Sequence, residues 1–413
     1  MKSRIIAMKH SNNSRWVMLG YIFILQFSIA CIARSVAPMA AVIGKDMQLT
    51  SVEIGYFPAA LFLGQACISM PAGYLSDKIG TRKMLMLIIS VLTSAFYLLA
   101  ISTSLTLILV WIIIAGFAYG SSHPTTNRAI IDWFPVTKRG TAMGIKQMSV
   151  TLGSAIAAIC LLPLGNEIGW QVTYIIVATI FVIVCSLLTV RYKERQVKTP
   201  QKNKENNVSF LNIKHLWTKS LLLTITATAF VLSGVQMILN TFIVIYALQY
   251  IQLSLVTAGL LLVIAEVGGS VGRILWGIVS DIIFRGNRLI VMFLICILVF
   301  TMALIVALLP NDTPFIALAL TIFLFGIGSN GFNGIWMNAT TEVTSKKHAG
   351  IATGFSITVA SLGAVCLPPI FGYALDKTNN FPTGWLYVSF SMIVPIVLIF
   401  VQLIIGIKGK IKK

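Results

Sequence analysis

Charge is scarce in this chain, and acid is scarcer than base. Only 10% of the 413 residues are charged, with 12 Asp and Glu against 31 Lys and Arg. A soluble protein carries about 25% charged residues, so a water-bathed globule is excluded. Short catalytic signatures are missing too. No G-x4-G-K-[ST] loop is present to cradle a nucleotide, which removes ATP as a direct energy source. No H-E-x-x-H and no intramembrane His/Asp cluster is found, which argues against a membrane enzyme. The six cysteines (Cys31, Cys67, Cys160, Cys185, Cys296, Cys366) lie in apolar runs without metal-ligand spacing and read as small packing residues. No metal or cofactor is expected. No cleavable leader is evident, because the first apolar run is too long for a signal-peptide core.

What is abundant is apolar sequence, at 57%. A bilayer-spanning helix needs about 20 mostly apolar residues. Twelve such runs are found, near 16–43, 52–74, 84–101, 105–127, 141–163, 170–190, 220–249, 253–279, 289–309, 314–339, 350–374 and 384–407. Helices satisfy their backbone polar groups internally, so the expected fold class is an all-α integral membrane protein. The net charge of +19 is not spread evenly. With those twelve spans, 26 Lys and Arg fall on one side and two, Lys45 and Lys377, on the other. Arg34, Lys146 and Arg273 fall within spans. This asymmetry follows the positive-inside rule and predicts a multi-pass cell-membrane protein with both termini cytoplasmic. A nucleic-acid binder has no reason to alternate its charge by segment; the bilayer is the expected partner.

The longest polar stretch, 191–219, divides the chain into an expected six-helix bundle at 1–190, a basic cytoplasmic linker at 191–219 and a second bundle at 220–413. At about 29 residues the linker is too short for a signalling domain. The halves look related. Gly73-x3-Asp77 recurs as Gly277-x3-Asp281 after 204 residues, and Gly140-x-Ala142-x-Gly144 recurs as Gly350-x-Ala352-x-Gly354 after 210. Repeats of this kind put a solute site at the interface of the halves, near mid-membrane.

The sharpest motif is Gly73-Tyr74-Leu75-Ser76-Asp77-Lys78-Ile79-Gly80-Thr81-Arg82-Lys83. It resembles the loop G-x-L-x-D-[RK]-x-G-x-[RK]-[RK] of the major facilitator superfamily, and every specified position is met. The resemblance implies two pseudo-symmetric six-helix bundles and a secondary transporter working by alternating access. Physically the motif reads as a gate. Gly73 lets two helices approach, Gly80 permits a tight reversal, and Asp77 at a helix end meets a cation or a helix dipole. Arg82 belongs to the same loop, Arg128 and Arg139 read as gate partners of Asp77 or Asp132, and Asp281 marks the degenerate second copy with Gly277, Arg285 and Arg288.

A narrower likeness rests on Arg34-Ser35-Val36-Ala37-Pro38, on Pro124 to Arg128 leading into Trp133-Phe134-Pro135, and on Pro368-Pro369-x-Phe371-Gly372-x3-Asp376. Together these resemble the anion:cation symporter branch, which carries hexonates, glucarate-type acids, sialic acid or glutamate. Arg34 is the leading candidate for binding solute. A mid-bilayer cation costs at least about 2.5–3.5 kcal/mol, and arginine cannot lose its proton. It should face a wet cavity, where its planar fork suits a carboxylate; the branch uses an Arg at this position to hold its anion. The chain departs from the branch at two acids, where it has Ala33 and Tyr119, and at a second basic residue, where it has Ile112. Tyr119, Asn240 and Asn333 are the further substrate-binding candidates, with Asn338 and Ser361 also within predicted helices. Glu266, about 22 Å along the eighth helix from Asp281, is the candidate proton carrier. Lys146 is expected to snorkel to the cytoplasmic surface, and His123-Pro124 to form a kink with a hydrogen-bonded histidine.

The expected function is proton-coupled uptake of a small organic anion by a monomer. The alternative is an efflux antiporter for drugs or metabolites. Such proteins often carry a G-P motif in the fifth helix, where this chain has Gly153-Ser154-Ala155-Ile156. If the gate reading is right, Asp77→Asn slows initial solute uptake while the protein still inserts; uptake at the unaltered rate would remove Asp77 from the gate.

Overall fold

The computed structural model describes residues 2–194, 220–343 and 349–411. The expected linker at 191–219 lies almost wholly outside the described residues. Those described form helices and no strand. Twelve helical stretches are long and apolar enough to cross a membrane: Arg15–Asp46, Ser51–Ser69, Thr81–Ala100, Leu105–Trp133, Ala142–Ile168, Trp170–Arg191, Ser220–Gln249, Leu255–Ile283, Arg288–Leu308, Phe315–Glu342, Ala352–Thr378 and Phe381–Ile405. They are called the first to twelfth spans below.

Apolar content locates these spans, but caps set their ends. The second helix starts where Thr50 and Glu53 form a reciprocal capping box, and runs to Ile79, past the apolar run ending near 74. It stops at Gly80, whose φ of +89° suits only glycine. The eighth span likewise outlasts its apolar run through a wide turn at Val279–Ile283. Asp77 and Asp281 therefore end rigid helices and do not sit in loops.

Several spans are broken where it matters. The first divides into Lys2–Arg34 and Val36–Asp46. Pro38 has no N–H to offer the carbonyl of Arg34 and its ring crowds that carbonyl, so the helix parts there. Ser35 fills the gap by donating to the Ile32 carbonyl at 2.7 Å. The tenth span is broken between Ser329 and Asn333. In a bilayer such breaks persist only where protein or a wet cavity satisfies the freed groups.

Small residues carry the tightest crossings. A Cβ on Gly64 of the second span would lie 2.1 Å from the Ile113 carbonyl oxygen, and one on Gly116 of the fourth 2.2 Å from that of Leu61. Gly268 and Gly326 make the same kind of approach between the eighth and tenth spans, at 2.3 Å from the Phe323 oxygen and 2.1 Å from that of Ala265. Gly64 and Gly268 are separated by 204 residues, Gly116 and Gly326 by 210, the offsets already met in the motifs. Backbones meet this closely only where no side chain intervenes.

The molecule is closed on its lysine- and arginine-poor face. There the Asp376 carboxylate accepts from the Ser51 and Val52 amides, at 2.8 and 2.9 Å, so the eleventh span caps the start of the second. Gly55 lies against Pro368 and Pro369, and Gly372 against Ser51. At the basic end the second and eighth spans present open space instead. Among the described residues, no atom lies within 4 Å of where a Cβ on Gly73 or Gly277 would stand. Gly73, expected to serve a close helix approach, makes none among the described residues. A carboxylate on two helix-terminal amides is stabilised by charge and dipole together, typically by about 0.3–1 kcal/mol and up to about 2. Asp376→Asn is expected to loosen this closure: a cysteine replacing Ala37 should react several-fold faster with an impermeant maleimide applied from the lysine-poor face. An unaltered labelling rate would mean that the contact does not hold that side shut.

Candidate functional site

The two intramembrane charges singled out in the sequence meet. Arg34, at the break in the first span, donates from Nη2 to Glu266 Oε1 of the eighth at 3.2 Å, with 8% and 1% of the residues exposed. The pair joins the first six spans to the last six. Removing either partner of such a buried pair typically costs about 3–5 kcal/mol, because the other charge is left uncompensated.

The partners are surrounded by polar side chains from three further spans. Asn240 of the seventh donates to the same Glu266 Oε1 at 3.2 Å. Asn330, at the break in the tenth, donates to Asn240 Oδ1 at 3.2 Å. Tyr119 of the fourth, 3% exposed, lies beside Arg34. Glu266 Oε2 is buried and has no partner among the described residues. One carboxylate oxygen thus holds two donors while the other is bare, with a lone pair free for a proton or a donor. Beside the pair is a narrow cavity lined by Arg34, Ala37, Pro38, Pro58, Phe62 and Asn240, among others. Its space for water-sized centres is about 10 Å³, the scale of a single water.

Of the expected substrate-binding residues, Arg34, Tyr119 and Asn240 come together with Glu266. Asn333 does not join them. It begins the second piece of the tenth span and donates back to the Asn330 carbonyl at 3.4 Å. The break turns its neighbour Asn330 inward instead. Asn338 is exposed, and Ser361 is buried. Asn330 was not singled out from the sequence; one Asn among several in apolar runs carries no distinguishing signal.

Lys146 corrects another expectation. It does not snorkel: it is 2% exposed, and its Nζ donates to Asn127 Oδ1 at 2.8 Å. Arg273, two turns from Glu266, donates from Nε to the Asn330 carbonyl at 3.4 Å and from Nη1 to the Gln147 carbonyl at 3.2 Å. It ties the eighth span to the fifth, as does Ser270 by donating to the Thr151 hydroxyl at 3.0 Å. His123 lies edge-on to Tyr119, with ring centroids 5.3 Å apart, and Pro124 is accommodated inside the helix Leu105–Trp133.

At the basic face the gate candidates fall into two clusters. Arg128 donates to the Ser76 carbonyl and lies 3.7 Å from Asp132. Arg82 donates to the Val190 carbonyl at 3.1 Å. Gly80 and Thr81 pack on Glu194, whose carboxylate accepts from the Thr81 amide at 2.7 Å. The side chains of Asp77 and Arg139 lie outside the described residues. In the second cluster Arg288 joins Asp281 at 2.6 Å to Glu342 at 3.2 Å, linking the eighth, ninth and tenth spans. Glu342 was not anticipated; it falls at a helix end with no motif around it.

Comparison with known proteins adds kinship to this geometry. Residues 22–368 match the family model described as Major Facilitator Superfamily. The chain is similar to a probable galactarate/D-glucarate transporter of Bacillus subtilis, 22% identical over 85% of this chain and 83% of that protein. It is also similar to a probable sulfoacetate transporter of Cupriavidus necator, 24% identical over 91% and 90%. Among solved structures, a variant of the nucleoside transporter NupG superposes with a TM-score of 0.78 at 16% identity, covering 93% of this chain and 99% of that one.

Proposed function

Given that the chain belongs to the Major Facilitator Superfamily, whose fold and transporter character it shares, we propose that it is a secondary active transporter that takes up an organic carboxylate together with protons. The single observation carrying this reading is the Arg34–Glu266 pair, buried across the two sets of six spans, with one carboxylate oxygen bare. The charge asymmetry supports placing the basic face and both termini in the cytoplasm of a cell-membrane protein. The repeat offsets support a division into bundles at 1–190 and 220–413, acting as a monomer. The relatives named for sugar acids and sulfoacetate support an anionic solute.

The coupling follows from one guanidinium serving two carboxylates. With no solute bound, Glu266 neutralises Arg34. An incoming carboxylate competes for the same fork. If Glu266 stayed ionised, two negative charges about 4 Å apart would repel by about 4 kcal/mol at an effective dielectric of 20. A proton on Oε2 removes that repulsion and frees Arg34 for the solute. Solute and proton are therefore taken together, and their release restores the pair. The pair also spans the interface that must rearrange in alternating access, so its occupancy and the conformation are linked.

The test is uptake of labelled D-glucarate into proteoliposomes under an inward-acid gradient. Glu266→Gln is expected to abolish uphill accumulation, lowering it at least ten-fold, while solute exchange down its gradient persists. Arg34→Gln should lose both. A Glu266→Gln protein that concentrates solute as well as the unaltered one sinks the coupling scheme. Uptake of a neutral or cationic solute through Arg34→Gln would sink the carboxylate reading as well.

A further inference from the structure

The central cluster carries more positive charge than one carboxylate can answer. Three buried or half-buried cations, Arg34, Lys146 and Arg273, stand against one acid, Glu266. Neither Lys146 nor Arg273 has a carboxylate within ion-pair distance among the described residues. Lys146 has a single hydrogen-bond acceptor, Asn127 Oδ1, for an ammonium that can donate three times. Arg273 is answered only by backbone carbonyls. Unpaired buried cations cost several kcal/mol each, which is a poor arrangement for a purely structural role. Asn127 alone could staple the fourth span to the fifth with a neutral partner.

These cations are not scattered. Tyr119, His123 and Asn127 follow one another at intervals of four on the fourth span and so share one face of that helix. Tyr119 at one end of the stripe lies beside Arg34, and Asn127 at the other accepts from Lys146. His123 between them lies within the electrostatic reach of Lys146, Arg34 and Arg273 together. The ends are about 12 Å apart along the helix axis. His123, Asn127, Gln147 and Arg273 are all half-exposed.

We propose that Lys146 and Arg273, with Asn127 and His123, form a second anion subsite on the basic side of Arg34, so that the protein takes a dianion with one charged group at each subsite. This rests on the reading that Arg34 receives a carboxylate, and adds to it where the other end of the solute goes. Lys146 and Arg273 come from the fifth and eighth spans, on opposite sides of the interface, so a dianion seated here contacts both bundles. A monoanion would leave the second subsite unanswered.

Matched pairs that differ only in one terminal charge test this: D-glucarate against D-gluconate, and glutarate against valerate. Binding is read as thermal stabilisation of the purified full-length protein, and as competition with labelled D-glucarate in proteoliposomes. The unaltered protein should bind each dianion at least ten-fold more tightly than its monoanion. Lys146→Gln should weaken dianion binding at least ten-fold more than monoanion binding, and Lys146→Arg should restore the preference. Arg34→Gln should weaken both members of each pair. Equal affinity for dianion and monoanion in the unaltered protein overturns the second subsite, needs no variant, and leaves the carboxylate reading intact. Equal weakening of both members by Lys146→Gln overturns it too. Failure of every anion to bind, with Arg34→Gln indistinguishable from the unaltered protein, brings down both readings.

Discussion

A guanidinium that cannot shed its proton, placed at a helix break inside the bilayer, must be answered by an opposite charge. Here that answer comes from Glu266, across the interface between the two sets of six spans. Much of the surrounding architecture serves this one contact. Pro38 opens the first span at Arg34. Glycines of the eighth and tenth spans bring Glu266 and Asn330 side by side. Asn240 donates a second hydrogen bond to Glu266, and Tyr119 lies beside Arg34. The pair links the halves only as long as nothing else claims the guanidinium, and under the proposed function that claimant is a carboxylate-bearing solute.

The rest of the interface is unequal at its two ends, and the inequality defines the conformation. On the lysine-poor face Asp376 grips the start of the second span, and glycine-to-backbone contacts pack the second and eleventh spans together. Toward the basic face the motif glycines Gly73 and Gly277 stand free. The repeated glycine crossings lie within each set of six spans, whereas the Asp376 and Arg34 contacts run between the sets. Tight, side-chain-free crossings keep each set rigid. Polar contacts between the sets can be exchanged one for another without opening a cavity in a packed core. This division of labour suits two bodies that rock about a central site.

Much of this was legible from residue types alone. Twelve apolar runs, a one-sided distribution of Lys and Arg, and the motif around Gly73 led to the fold and to the family. Arg34 and Glu266 stood out because ionisable groups are rare in hydrocarbon and need a reason to be there. Other features were misread or missed. Lys146 has a stem long enough to reach the membrane surface, so only its burial against Asn127 shows that it turns inward. Asn333 and Asn330 are three residues apart on what reads as one helix, and the break between Ser329 and Asn333 decides which of them faces the centre. Glu342 acquires its partner Arg288 only because two helix ends converge.

By itself, then, the sequence determined the number of spans and which charges lie within them, because these depend on composition and on local backbone physics. Only the tertiary structure decided which charges meet. Arg34 and Glu266 are 232 residues apart, and helical periodicity fixes the face a side chain occupies but not the helix that face will oppose. That choice depends on how closely the backbones cross, which glycines and helix breaks set jointly across the whole bundle.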